Sequence, residues 1–448
     1  MILPALTEAE GKFYRAIKYS LFPPLGLAQL AGYFRLDDEI EIMDLHVEKG
    51  DFSDDADLVV IQIYITNAFK AYEIADMYRK RGVFVAVGGL HATSLPEEAL
   101  RHADAVFCGP AHKCWGDFIR EFRNGRKMRG IFSDEVRSLD EIPAVRRDLI
   151  DRRKYLVPNS MVVSRGCPCR CDFCYTRNFF AGGKSFYTAQ IDRILSEIEK
   201  MPGRHLFFLD DNLFGSEKFA SALFDGMKGM NRRFQAAATV SGVLNSHLLD
   251  LAAEAGLRSL FVGFESLNQE SLLNCNKKQN NTGLYNNVIA GLRSRNIMTN
   301  ASFVFGLDGD TGDVFDRTVE WAVSQGIETA TFHLATPYPG TPFFDKLKSE
   351  KRIVTENWDL YDTRHAVIRH SEISGEELEN GYWASYRNFY SWSNIFRSAG
   401  VKEEFNRKLK HLFYTSAWKK FDPLWKIIIR LKTLPVCSSV LEKVLDMQ

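Results

Sequence analysis

The chain has 448 residues, 45% hydrophobic and 25% charged, with 57 Lys and Arg balancing 57 Asp and Glu. That length exceeds one ordinary core, and the even charge argues against a dedicated nucleic-acid binder. No apolar run reaches the roughly 18 residues that span a bilayer, and the start lacks a signal peptide's basic-then-apolar order, so a cytoplasmic protein of two or three domains is expected.

The first third alternates short apolar runs with amphipathic stretches. Strands are expected at 1–6, 39–44, 58–65, 83–87 and 105–108, with helices at 68–80 and 96–102. Apolar strands joined by helical crossovers predict a parallel sheet covered on both faces, a small doubly wound α/β domain over 1–135. Gly88 and Gly89 end one strand and Gly109 with Pro110 ends another. Ligand crevices of open α/β sheets lie at those carboxyl ends. The polar stretch from about Asn124 to Pro158, dense in Arg and Asp around Pro143, reads as a connection, with the linker proper at 136–158.

The pattern restarts at Met161. Strands are expected at 161–165, 205–210, 234–240, 259–264, 301–305 and 329–334, with helical stretches between them. Ile191, Ile194, Leu195 and Ile198 fall at i, i+3, i+4 and i+7, one buried helix face. Six such units predict a partial parallel barrel over 159–350, with sites in the loops at the strands' carboxyl ends. The remainder, 351–448, reads as a mostly helical accessory region. Between 402 and 432 it holds nine Lys or Arg against three acids, interleaved with Phe405, Phe413, Trp418 and Trp425. Such a segment either packs on the barrel with a solvated basic edge or lies on an anionic membrane. A peripheral membrane location therefore stays open beside the cytoplasmic one.

Four of the eight cysteines, Cys167, Cys169, Cys171 and Cys174, fall within eight residues. This concentration reads as metal ligation in a reducing compartment, not as a disulfide framework. In Ser164-Arg-Gly-Cys167-Pro-Cys-Arg-Cys171-Asp-Phe-Cys174-Tyr175, a C-x3-C-x2-C spacing lets three thiolates hold three irons of a 4Fe–4S cube. The fourth iron is then free to be chelated by the amino and carboxylate groups of S-adenosylmethionine. A structural zinc or electron-transfer site that also uses Cys169 is the competing reading. Zinc sites usually draw on two separated ligand pairs, so Cys169 reads as a bystander.

With Gly166 and Pro168 beside Cys167, and Phe173 before Cys174, this loop resembles that of the radical S-adenosylmethionine superfamily. The runs Gly88-Gly-Leu-His91-Ala-Thr-Ser-Leu-Pro96-Glu-Glu-Ala, Pro337-Tyr-Pro-Gly-Thr341 and Trp358-Asp-Leu-Tyr-Asp-Thr-Arg-His365 are similar to those of its cobalamin-binding-domain-containing family. The resemblance implies an N-terminal Rossmann-like cobalamin domain, a (β/α)6 radical barrel and a helical C-terminal extension. It implies a 4Fe–4S cluster on Cys167, Cys171 and Cys174, bound S-adenosylmethionine, cobalamin, and an external electron donor such as flavodoxin or ferredoxin. The implied activity is reductive cleavage of S-adenosylmethionine to a 5′-deoxyadenosyl radical and cobalamin-dependent C-methylation of a lipid-like or polycyclic substrate. Two alternatives stand beside it. One is cobalamin-independent coupling, cyclisation or rearrangement; the other is a non-catalytic cobalamin-binding or electron-transfer module.

The resemblance also points to individual side chains. Asp210 and Asp211, ending the second barrel strand, have the charge to receive the substrate ammonium, with helix capping as the plainer role for Asp211. Glu265 ends the fourth strand, where an acid needs a partner. Asn300 and Ser302 share a face of the fifth strand, His333 lies near the end of the sixth, and Phe173 and Tyr175 offer ring faces to adenine. On the cobalamin side, Tyr64, Thr66, Gly88, Gly89 and His91 are expected at the corrin, the glycines letting backbone approach it. Asp44-Leu-His46 followed by Gly50 tempts comparison with a cobalt-ligating motif. The glycine is one residue late and the segment follows the second strand, so His46 is not expected to ligate.

Overall fold

The computed structural model describes residues 1–10, 21–135, 137–419 and 434–446. Its N-terminal sheet contains β1 (Ile2–Leu3), β2 (Met43–Asp44), β3 (Leu58–Gln62), β4 (Phe84–Gly88), β5 (Ala105–Cys108) and β6 (Gly130–Ser133). They lie in the order β2-β1-β3-β4-β5-β6, and every pairing is parallel. Alternate residues serve opposite faces. Val59, Ile61, Val85 and Val87 pack with Ala71, Ile74 and Tyr78, while Val60, Ala86 and Phe107 pack with Trp115 and Phe118. Both faces are covered, which is why these strands read as unbroken apolar runs.

Two differences from the sequence reading have simple causes. β1 stops after two residues because Pro4, without an N–H, cannot extend the ladder. The connection expected from about Asn124 contains β6, an edge strand whose alternating half-buried and exposed residues carry little apolar signal.

The second sheet runs β7 (Ser160–Met161), β10 (His205–Phe208), β11 (Arg233–Ala238), β12 (Leu257–Glu265), β13 (Met298–Phe305) and β14 (Thr329–Leu334), neighbour to neighbour and all parallel. All six expected barrel strands are present, but the first is divided. Asp210 accepts hydrogen bonds from the Val163 N–H at 3.2 Å, the Ser164 N–H, and the Ser164 hydroxyl at 2.5 Å. These contacts pull the chain out of the sheet after Met161. Residues Ser164–Gly166 (β8) then pair antiparallel with Phe186–Thr188 (β9), and the cysteines lie in the excursion between them. Phe264, Phe303 and Phe332, on neighbouring strands, form a ladder with ring centroids 6.0 and 5.9 Å apart. Ile194 and Ile198 are buried against this core, with Ile191 and Leu195 partly so.

Four helices, Gly375–Phe389, Trp392–Gly400, Phe405–Lys419 and Leu434–Asp446, make up most of the extension. The Tyr390 hydroxyl accepts from the Ala330 N–H at 3.0 Å and donates to the Ala330 carbonyl at 2.9 Å, and the Tyr386 hydroxyl accepts from the Phe332 N–H at 3.1 Å. The open edge of β14 is thereby blocked.

Phe405–Lys419 lies across the amino ends of the strands. Lys402 sits 2.5 Å from Glu328, whose other oxygen accepts the Thr299 N–H at 2.9 Å, and the Thr415 hydroxyl donates to the Glu328 carbonyl at 2.7 Å. Two members of the basic run, Lys402 and Lys410, are thus buried, whereas Phe405 and Phe413 are 76% and 56% exposed. Lys420, Lys426, Arg430 and Lys432 lie outside the described residues. Among the described residues, no helix is long and apolar enough to cross a membrane.

Candidate functional site

Gly166 opens the cysteine loop at φ +78°, and a Cβ there would stand 2.1 Å from the Ser185 carbonyl oxygen. Only glycine permits that approach. It brings the Cys167 N–H within 3.0 Å of the same oxygen. Each of the three motif sulfurs has its own polar neighbour. Asn212 Nδ2 donates to Cys167 Sγ at 3.7 Å, Gln279 Nε2 donates to Cys171 Sγ at 3.1 Å, and Thr176 Oγ1 lies 3.1 Å from Cys174 Sγ. Three thiols on one excursion, each with its own polar neighbour, suit the corners of a cube. Asn212 Oδ1, buried beside Cys167, has no partner and stays available to an incoming donor.

The acids have divided tasks. Asp210 is fully engaged in holding the start of the loop, and burial raises its carboxyl to about 7. Asp211 accepts from the Gly166 N–H at 3.2 Å and from the Tyr175 hydroxyl, and both Asp211 and Tyr175 face the central cavity.

Glu265 ends β12 at φ +65°, a conformation a non-glycine residue holds only when its surroundings enforce it. Its Oε1 lies 2.6 Å from the Lys277 ammonium, and its Oε2 accepts from the Ser302 hydroxyl at 3.4 Å. Gly263 makes room for this pair, since a Cβ there would lie 2.4 Å from Glu265 Oε1 and 3.2 Å from Lys277 Nζ. Burial works against the Lys277 charge, but Glu265 and then Cys171 outweigh it and raise the ammonium above its ordinary range. Lys277 also stands 5.7 Å over the Phe173 ring. Asn300 sits one layer deeper than Ser302, donating to Ser259 at 2.9 Å. His333, near the end of β14, has its Nδ1 3.0 Å from the Thr363 hydroxyl.

A cavity of about 560 Å³ opens where the carboxyl ends of the N-terminal strands meet those of β7 and β10. Asp44, His46, Gln62, Tyr64 and Gly89 line it from the N-terminal sheet, and Met161, Arg165, Tyr175 and Asp211 from the barrel. Leu139, Ile142, Val145 and Arg147 of the connection form another wall. Gly89 has φ +112°, and a Cβ there would meet the Ile63 carbonyl oxygen at 2.6 Å. Gln62 Nε2 donates to the Tyr64 hydroxyl at 2.9 Å, and Arg165 Nε is buried with no hydrogen-bond partner. A glycine-floored crevice with unspent polar groups suits a large ring edged with amides, so the residues present fit cobalamin.

His46 Nε2 accepts the Leu6 N–H at 3.1 Å and Nδ1 pairs with Asp44 at 2.8 Å, so both ring nitrogens are engaged within the protein. Gly88 lies one residue back in β4, and a Cβ there would be 3.2 Å from the Phe107 carbonyl oxygen. Neither Thr66 nor His91 lines the cavity. The Thr66 carbonyl accepts from the Thr7 hydroxyl at 2.6 Å, and His91 pairs with Glu98 at 2.9 Å beside Trp358.

Sequence reasoning missed Asn212, Lys277 and Gln279, and the cavity wall from the connection. The available signal was the dense polar run Asn274-Cys-Asn-Lys-Lys-Gln-Asn-Asn281, on the carboxyl side of the strand that ends in Glu265.

Residues 161–322 match the Radical SAM superfamily, and residues 12–114 match the B12 binding domain. Bacteriochlorophyllide d C-12(1)-methyltransferase of Chlorobaculum tepidum is 30% identical over 354 residues, covering 76% of this chain and 76% of its own. The C-8(2)-methyltransferase of the same organism is 28% identical over 404 residues, covering 85% and 88%. The solved structure of the radical S-adenosylmethionine methyltransferase TsrM from Kitasatospora setae, with cobalamin and a [4Fe-4S] cluster bound, has a TM-score of 0.65 at 16% identity, covering 96% of this chain and 99% of its own.

Proposed function

The chain belongs to the cobalamin-binding-domain-containing family of radical S-adenosylmethionine enzymes, and from that premise we propose that it methylates an unactivated carbon of a polycyclic or lipid-like substrate. One observation carries the proposal: the carboxyl ends of the N-terminal strands meet those of β7 and β10 at a cavity, and Arg165 and Tyr175, which flank the cysteines in sequence, supply part of its wall. When bound, the cluster supplies the electron, S-adenosylmethionine the 5′-deoxyadenosyl radical, and cobalamin the methyl group.

The chain's own residues hold and orient these groups. Cys167, Cys171 and Cys174 ligate the cluster. Glu265, fixed by Lys277 and Ser302, presents a carboxylate edge to the cofactor, and Asp211 with Tyr175 borders the space shared with the second sheet. Gln62, Tyr64 and Gly89 bed the corrin, and enclosure keeps water from quenching the radical. The division of the chain is 1–135, 136–158, 159–350 and 351–448, as cobalamin domain, linker, radical barrel and accessory region.

The substrate class draws support from apolar Leu139, Ile142, Val145, Phe179 and Phe180 on the cavity wall, a lining suited to a broad hydrophobic body. The two Chlorobaculum relatives are named for bacteriochlorophyllide, itself polycyclic. An electron donor of the flavodoxin or ferredoxin type completes the scheme. Exposed Phe405 and Phe413 support peripheral membrane contact, which liposome co-sedimentation with and without residues beyond 401 tests.

The deciding experiment is anaerobic turnover of reconstituted protein with dithionite, S-adenosylmethionine, cobalamin and a tetrapyrrole carboxylic acid. Methylated product with equal amounts of 5′-deoxyadenosine and S-adenosylhomocysteine is expected. Protein that takes up no corrin, and yields 5′-deoxyadenosine without S-adenosylhomocysteine, would overturn the methyl-transfer reading.

A further inference from the structure

The segment after β12 grips the cysteine loop at several points. The Asp172 N–H donates to the Cys275 carbonyl at 3.0 Å, Asn276 Nδ2 to the Arg170 carbonyl at 2.8 Å, and Gln279 Nε2 to Cys171 Sγ at 3.1 Å. Its far end is fixed by Asn280, which is 1% exposed and donates to the Gly263 and Phe264 carbonyls, each at 2.9 Å. Gln279 therefore leaves a rigid anchor one residue away and reaches a motif sulfur from a different strand's loop.

We propose that Gln279 is a positioning residue that sets the reduction potential of the cluster, through its amide hydrogen bond to the Cys171 sulfur. This rests on the assignment of Cys167, Cys171 and Cys174 as cluster ligands. A donor to a ligating sulfur stabilises the more negatively charged, reduced cluster and so raises its potential. The Lys277 ammonium also acts on that sulfur, but its charge is committed to Glu265 at 2.6 Å. Gln279 is then the group whose removal changes the sulfur's hydrogen bonding without leaving a buried charge unpaired. S-adenosylmethionine is difficult to reduce, and a cluster poised too high loses driving force for the cleavage. The amide thus trades cleavage rate for ease of charging by the electron donor.

The test is an EPR-monitored redox titration of the reconstituted full chain without substrate, on wild type, Gln279→Leu and Gln279→Glu, with iron and sulfide determined on each. Gln279→Leu should keep its iron and shift the midpoint potential downward. Gln279→Glu, of the same shape but carrying a charge that cannot donate, should shift it further. Unchanged midpoints in both variants would overturn the proposal. So would loss of iron from Gln279→Leu, which would make the residue a brace for the loop. Cys171→Ala, titrated in parallel, separates this from the ligand assignment: a full cluster signal in that variant would refute Cys171 as a ligand, whatever Gln279 does.

Discussion

Lys277 Nζ stands 2.6 Å from Glu265 Oε1, and both side chains are buried at the rim of the barrel, close to the motif sulfurs. A buried ion pair is weak evidence of stability, but breaking one half is costly because the remaining charge has no solvent. Glu265→Ala should destabilise the protein by about 3–5 kcal/mol and weaken S-adenosylmethionine binding. The double variant Glu265→Gln with Lys277→Met should regain much of the stability and none of the binding. Denaturant titration and equilibrium dialysis measure the two effects; restored binding in the double variant would remove Glu265 from the cofactor site.

Cys171→Ala should lose the cluster and form no 5′-deoxyadenosine. Cys169→Ala should keep near wild-type iron and cleavage, because three of the four thiols suffice for the cube. Iron analysis and product chromatography decide, and a Cys169 variant stripped of iron would return the site to a four-cysteine arrangement.

Gly89→Val asks a β-branched residue to hold φ +112° with its Cβ 2.6 Å from the Ile63 carbonyl oxygen. A stability loss of about 1–3 kcal/mol is expected, together with a marked fall in cobalamin uptake read from the corrin absorbance. Gly312→Ala, where a Cβ would meet nothing within 4 Å, serves as the neutral control.

Acid sensitivity has an identifiable source in Glu328. Burial opposes its charge, but Lys402 and His411 outweigh that and hold the carboxyl well below its ordinary 4.5. A carboxylate depressed on folding contributes stability that is fully present above the unfolded value and lost as pH falls through the folded one. Wild type should therefore weaken progressively below about pH 4.5. Glu328→Gln should start about 3–5 kcal/mol lower at neutral pH and show a shallower acid loss. Urea midpoints measured from pH 7 down to pH 3 test this, and parallel curves for the two proteins would show that Glu328 is not the source.

The parts of this molecule that were legible in its sequence are those written locally. The cysteine spacing and the six apolar barrel strands are contiguous patterns, and β12 to β14 were placed to within a few residues. Gln279 was not legible, because its meaning depends on two loops, about a hundred residues apart, meeting in space; Lys277 was not, because its pairing with Glu265 across 12 residues rests on how the segment after β12 folds back. Asp210 was identified from its strand-end position, but the backbone N–H groups that occupy its oxygens belong to a bend that no strand pattern announces. His91 belongs to a run that resembles a cobalamin-binding segment, yet its imidazole turns toward Glu98 and Trp358 and serves the seam with the 358–365 segment.

Tyr386 and Tyr390 do more than tidy the last strand. Two phenols from a single helical arm occupy the hydrogen-bonding groups through which a seventh strand would dock, so the arc is halted at six by chemistry and not by want of chain. The opposite side of the arc, between β14 and β7, is therefore left without a ladder, and it is the helical arm that finishes the wall there.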